Sequence, residues 1–146
     1  MIVQLCGLAV DARASTRTRD PIERAIATRW IAANLLSIRG ARLVIDGVVP
    51  AGGRMLGARV GTFADLVAAL AAVPALVDAT TLPLHWQLGL RALGIPVLDR
   101  PIPAALAAGA SVVTVGPEAG SGVHVAVASD GSYRVRIAEA HRLRAA

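Results

Sequence analysis

The chain has 146 residues, of which 55% are apolar and 17% charged; it therefore fits one domain with a hydrophobic core, and an intrinsically disordered protein is excluded. The net charge is +5 and all fifteen basic residues are arginine, which favours anionic partners such as phospholipid head groups or phosphorylated metabolites. No apolar run reaches the ~18 residues of a membrane-spanning helix, and the lone Cys6 excludes an internal disulfide framework.

The first predicted helix spans residues 22–38 and follows an N-terminal extension, residues 1–20. Asp20 and Pro21 form the pattern of an N-cap with proline at the first helical position, and Gly40 ends the helix. One face of this helix is apolar, because apolar side chains recur on it at helical spacing. They are Ile22, Ile26, Trp30 and Ala33.

This apolar face has two interpretations. In the first, the helix packs it against a sheet, as amphipathic helices of globular domains do. In the second, the helix lies on an anionic membrane, with Trp30 in the interface and Arg24 and Arg29 near the lipid head groups. Both interpretations stay open at this point.

The rest of the chain alternates between strand and helix patterns. Strands are predicted over 42–49, 55–60, 95–98 and 111–115, and a hairpin over 123–128 and 133–137. Helices are predicted over 63–73 and 84–93, with a helical turn over 103–108. This alternation predicts one α/β domain, residues 1–146, in which 43–45, 95–98, 111–115 and 133–137 share a sheet.

Taken alone, the residues offer no strong catalytic set. His85, His124 and His141 lie far apart and have no carboxylate or cysteine at metal-ligand spacing, so no metal site is expected. The glycine-rich segment 116–122 lacks the Gly-Lys-Ser/Thr ending of a phosphate loop, and no tightly bound cofactor is expected. Nucleic acid is not an expected partner either, because no recognisable motif accompanies the positive charge.

The order of several segments, however, resembles the lysophospholipid acyltransferases, which transfer a fatty acyl group from a thioester carrier to a glycerol phosphate. The family has Asn-His, four residues and then Asp. In the similar stretch here, 56–65, Asp65 is kept with Phe63 two residues before it. Arg59 stands at the Asn position and Val60 at the His position.

Later segments extend the resemblance over residues 22–144. Gly94 and Arg100 fall at the spacing of the family's Gly, Phe and Arg motif, with Val97 at the Phe position. Pro117 and Glu118 match its Phe-Pro-Glu-Gly-Thr motif, and 133–140 is similar to its last strand. The resemblance implies a layered domain of glycerolipid acyltransferase type, with a mixed sheet flanked by helices and phosphate-binding groups at Arg100, Gly94, Glu118 and Arg59.

Val60 decides what the resemblance implies about activity. A glycerol hydroxyl needs a base to take its proton, and valine cannot serve as one. Asp65 would then be a vestige of the catalytic pair, and arginine at position 59 cannot replace the base. In an alternative interpretation, Arg100, Asp65 and Glu118 simply form a partly buried ion-pair cluster.

We therefore expect a catalytically degenerate acyltransferase-like domain, without metal or cofactor, that serves as a binding or accessory subunit. Its expected partners are an anionic phospholipid, an acyl-thioester carrier or a protein of a membrane-associated complex. Its expected location is cytoplasmic, peripheral on the inner face of the membrane. Two alternatives are an active acyltransferase that uses acyl-CoA or acyl carrier protein, and an unrelated α/β binding domain.

Overall fold

The computed structural model describes residues 20–116, 123–129 and 131–139. Its helices are α1 (Pro21–Ile38), α2 (Phe63–Ala72), α3 (Leu84–Ala92) and α4 (Ile102–Ala107), and a 3₁₀ turn spans Ala79–Thr81. Its strands are β1 (Leu43–Asp46), β2 (Met55–Arg59), β3 (Ala75–Val77), β4 (Ser111–Val115), β5 (Val123–Ser129) and β6 (Tyr133–Glu139). The predicted α/β architecture is confirmed.

The six strands form one mixed sheet in the order β1-β6-β5-β2-β4-β3. The neighbours β5, β2, β4 and β3 run parallel, so their carboxyl ends lie at the same edge of the sheet. The predicted hairpin is present, since β5 and β6 pair antiparallel, and β1 extends the sheet parallel to β6.

The hydrophobic core lies between the sheet and the helices α1 and α2. α1 begins where Asp20 Oδ1 accepts the backbone N–H of Ile22 at 3.0 Å, with Pro21 at its first position. The inner side of α1 contributes Ile31 and Leu36 to the core. On β5 and β6 the alternate side chains that point away from the core are exposed, and they are Ala126, Ala128, Arg134, Arg136 and Ala138.

At the edges of the sheet, one strand prediction is wrong and another strand is shorter than predicted. Segment 95–98 forms no strand: a single parallel bridge joins Val97 to Val77 of β3. The edge strand of the sheet is instead β3, whose three residues are too few to show the alternation of side chains that predicts a strand. At the other edge, β1 ends at Asp46, because Gly47 turns the chain away with φ +107°.

Candidate functional site

Asp65 lies in the first turn of α2, just beyond the carboxyl end of β2. Its Oδ2 accepts the backbone N–H of Thr62 at 3.2 Å and that of Gly61 at 3.3 Å, while Thr62 Oγ1 accepts the N–H of Asp65. The side chain is only 6% exposed, and its Oδ1 has no hydrogen-bond partner in the described part of the chain. This carboxylate therefore caps a helix, which is a structural role.

No histidine side chain that the structure describes reaches this carboxylate. His85 is exposed at the start of α3, and its ring meets that of Trp86 edge to face at 6.2 Å. The side chain of His124 and the whole of His141 lie outside the described residues. Val60 is half-buried against the core, and in the described ranges no three His, Cys, Asp or Glu side chains could hold a metal ion.

Arg59, the last residue of β2, lies on the exposed face of the sheet. It pairs in register with Ala126 of β5, which in turn pairs with Arg136 of β6. The strands β4 and β3 lie between β2, which ends at Arg59, and the segment that bridges β3 and leads to Arg100. The separation is therefore about three strand spacings, or ~14 Å. The structure therefore does not bring Arg59 together with Arg100 and Gly94.

Arg100 and Arg24 meet at one carboxylate. Arg100 Nε donates to Asp99 Oδ1 at 3.2 Å, and Arg24 Nε lies 3.8 Å from Asp99 Oδ2. Arg24 Nη2 also donates to the carbonyl oxygen of Val97 at 2.9 Å, so its guanidinium is directed towards segment 96–99 and its side chain is only 14% exposed. The described partner of Arg100 is thus Asp99; Asp65 lies elsewhere and Glu118 lies outside the described residues.

A cavity of about 320 Å³, here called the arginine cavity, opens between α1 and α3 beside this cluster. Its lining places Gly94, which the resemblance assigned to phosphate binding, beside Arg24 and Arg91. Sequence reasoning missed Arg91, because only the folded chain brings α3 and the start of α1 to the same cavity. The described residues of its lining are Arg24, Ala79, Gln87, Arg91, Gly94, Ile95, Pro96 and Val97.

A second cavity, of about 370 Å³, is almost wholly apolar and is here called the apolar cavity. It lies where the end of α1, the start of α2 and the end of α3 meet. Among the described residues of its lining Arg39 is the one that is charged, and its side chain makes no ion pair with any of the others that the structure describes. The lining is Leu35, Leu36, Ile38, Arg39, Phe63, Ala64, Val67 and Leu93.

The outer side of α1 carries the apolar face noted in the sequence. Ile22, Ile26 and Trp30 are 42%, 57% and 45% exposed, and Arg29 beside them is exposed as well. The opposite side of α1, with Ile31, packs on the core, so both sides of this helix are apolar. Within the described ranges, no helix has the length and apolarity to cross a membrane.

Comparison with known proteins adds no assignment. No family model matches the chain, and neither the curated proteins nor the solved structures give a significant match.

Proposed function

We propose that this domain is a catalytically inactive relative of acyltransferases, with a fold of the glycerolipid acyltransferase type, that binds a single-chain anionic lipid at a membrane surface. The observation that carries the proposal is the apolar cavity, whose described lining consists of apolar side chains and one cation, Arg39. Its volume of about 370 Å³ is within the range of small-molecule sites, about 300–1,000 Å³.

The lining of this cavity favours an acyl chain. Leu35, Leu36 and Val67 are buried and line it from two helices, while Phe63 and Leu93 are half-buried. A methylene group that moves from water into such surroundings contributes about 0.8 kcal/mol. Several methylenes together therefore offset the cost of association, which a short polar ligand could not do here.

Arg39 supplies the charge that selects an anionic head group. Arg39 is exposed and lines the apolar cavity, and no carboxylate is among the described residues of the lining. A carboxylate or phosphate on the lipid would accept hydrogen bonds from the forked guanidinium while the chain enters the cavity. A neutral head group gains no such contact, so the proposal includes a preference for anionic lipids.

The outer side of α1 supports a membrane location for this binding. Ile22, Ile26 and Trp30 expose apolar surface on the same helix whose last turn lines the apolar cavity. Such a helix can lie in the boundary between head groups and acyl chains, with Arg29 beside the head groups. The acyl chain would then pass between the membrane and the cavity along one helix.

Catalysis is not part of the proposal. Asp65 caps α2 through two backbone N–H groups, and Val60 offers no base beside it. Of the proposed phosphate-binding groups, Arg59 ends β2, whereas Arg100 follows the segment that bridges the edge strand β3. This separation favours a binding role over the alternative of an active acyltransferase.

The direct test is a calorimetric titration of the protein with monomeric dodecanoate. We expect saturable binding at a single site. Butyrate, which has the same head group and a much shorter chain, should show no measurable binding, and dodecanol should bind more weakly than dodecanoate. Equal affinities for dodecanoate and butyrate, or no saturation by either, would contradict the proposal.

A further inference from the structure

We infer that β1 is the pairing edge of a symmetric dimer, in which β1 of a second copy of this chain continues the sheet. β1 is an end strand of the sheet: it pairs with β6, and no other described strand pairs with it. None of its residues, Leu43–Asp46, lines the arginine cavity or the apolar cavity. The inference therefore does not depend on lipid binding.

The free edge of β1 presents backbone groups to a second strand. The N–H of Tyr133 donates to the carbonyl oxygen of Arg42 at 2.7 Å, so the backbone groups of Arg42 point to β6. Because these groups alternate in direction along a strand, those of Val44 also point to β6, whereas those of Leu43 and Ile45 point to the free edge. No described residue pairs with them there. Such a row of N–H and C=O groups is a template for another strand.

The sequence of β1 is complementary to itself in one antiparallel register. When the pairing is centred on Val44, Leu43 of one copy lies opposite Ile45 of the other, and their backbone groups exchange hydrogen bonds. Arg42 then lies opposite Asp46, once on each side of the twofold axis. A shift of the register by two residues in either direction removes both of these Arg–Asp pairs. The charges therefore select a single register.

The side chains that this register pairs are available for it. Arg42 and Asp46 are exposed, and neither makes an ion pair with any residue that the structure describes. Charged residues on an edge strand commonly disfavour pairing with another chain; in this register they favour it, because each charge meets the opposite one. Leu43 packs on the core, while Ile45 on the same face is 38% exposed. Leu43 of the second copy would cover part of this apolar surface.

The symmetry of the pairing sets the shape and the strength of the dimer. A twofold axis perpendicular to the sheet keeps the helices α1 and α2 of both copies on the same side of the combined sheet. One short strand from each copy forms the contact, which places it at the small end of protein interfaces. We therefore expect a dimer that forms reversibly as the concentration rises.

The test exchanges the charges and follows the full chain by sedimentation equilibrium over a range of concentrations. The parent chain should show a monomer–dimer equilibrium. Arg42→Asp and Asp46→Arg should each weaken dimerisation about tenfold or more, because both place like charges opposite each other. An equimolar mixture of the two variants should dimerise as well as the parent chain, since each charge of one variant then meets the opposite charge of the other.

The matched control is Arg91→Asp, which makes the same change of charge on α3, beside the opposite edge of the sheet. It should change the dissociation constant of the dimer less than twofold. Denaturant titrations show whether each variant is folded, because Asp46 pairs in register with Arg136 of β6. A parent chain that stays monomeric at all concentrations, or a mixture of folded variants that dimerises no better than either alone, would overturn the inference.

A cross-link tests the register without any change of charge. The two copies of Val44 lie directly opposite in a pair without hydrogen bonds, with Cα atoms ~4.5 Å apart, a distance that a disulfide spans. In chains that also carry Cys6→Ser, Val44→Cys should form a disulfide-linked dimer under mild oxidation. The control Ala128→Cys, on the exposed face two strands away, should stay monomeric. Equal cross-linking of the two variants, or none of Val44→Cys, would contradict pairing through β1.

Discussion

Thr62 and Asp65 cap each other's backbone: Asp65 Oδ2 accepts the N–H of Thr62 at 3.2 Å, and Thr62 Oγ1 accepts the N–H of Asp65 at 3.2 Å. This capping box accounts for an aspartate at position 65 without any catalytic role. It also holds the carboxylate against the backbone at the start of α2, so the residue that the resemblance marks as catalytic has a structural function here.

The capping box should be visible in stability measurements. Thr62→Ala and Asp65→Ala should each lower the free energy of unfolding by about 1 kcal/mol, and the double variant should lose less than the sum, because the two groups serve one cap. Denaturant titrations measure all three, with Ser37→Ala on the exposed side of α1 as the control. If the double variant loses as much free energy of unfolding as the two single variants together, the mutual cap is contradicted.

Restoring the family's motif should not restore catalysis. The variant Val60→His with Arg59→Asn should transfer no acyl group from acyl-CoA to lysophosphatidate above background, because Asp65 is bound to the helix backbone and Arg100 lies at a distant edge of the sheet. A radiolabelled acyl-transfer assay measures this. Activity that Asp65→Asn then removes would favour the active acyltransferase instead.

The outer side of α1 should contribute to membrane binding mainly through its apolar side chains. Ile26→Ser should weaken sedimentation with anionic vesicles about fivefold, since Ile26 is 57% exposed and loses roughly 1 kcal/mol of burial in the lipid. Ala33→Ser on the same side should have little effect. Arg24 is directed inward, so of the pair Arg24 and Arg29 only Arg29 stays beside the head groups. We therefore expect added salt to weaken vesicle binding only modestly. An unchanged partition of Ile26→Ser would contradict this role.

Gly47 should be among the least replaceable glycines of the fold. It has φ +107°, and a Cβ there would lie 2.4 Å from the carbonyl oxygen of Ile137. Gly47→Ala should therefore cost about 2 kcal/mol or more in the free energy of unfolding. Gly40→Ala is the matched comparison: its φ is +69° but a Cβ would meet nothing within 4 Å, so only the backbone cost of about 1 kcal/mol remains. Equal losses at the two positions would contradict the close approach to Ile137.

Local signals in the sequence predicted much of the fold. The Asp20-Pro21 start and Gly40 stop bounded α1 to within one residue, and the strands of the hairpin appear near their predicted positions. β3 was missed because its three buried residues show no period, and its partner Val97 makes only one bridge. The alternation of elements could not give the strand order, which depends on contacts between distant segments.

The candidate site could be predicted only in part. Both sides of α1 are apolar, so the spacing of Ile22, Ile26 and Trp30 could not show which side faces the core. The resemblance points to Gly94, which does line the arginine cavity. No feature of the sequence points to Arg91, which lines the same cavity. The apolar cavity is formed by three segments far apart in the chain, so only the packed structure reveals it.

Filling the apolar cavity tests the central claim most directly. Ala64 lines this cavity and is half-buried, whereas Ala33 is exposed on the outer side of α1, so Ala64→Leu and Ala33→Leu add the same atoms in different places. In calorimetric titrations with dodecanoate, Ala64→Leu should weaken binding about tenfold or more, because the acyl chain loses roughly 1.4 kcal/mol or more of burial. The control variant Ala33→Leu should leave the affinity for dodecanoate within twofold. Unfolding titrations should show that Ala64→Leu keeps the stability of the parent chain. Undiminished dodecanoate binding by a folded Ala64→Leu variant would contradict lipid binding in this cavity.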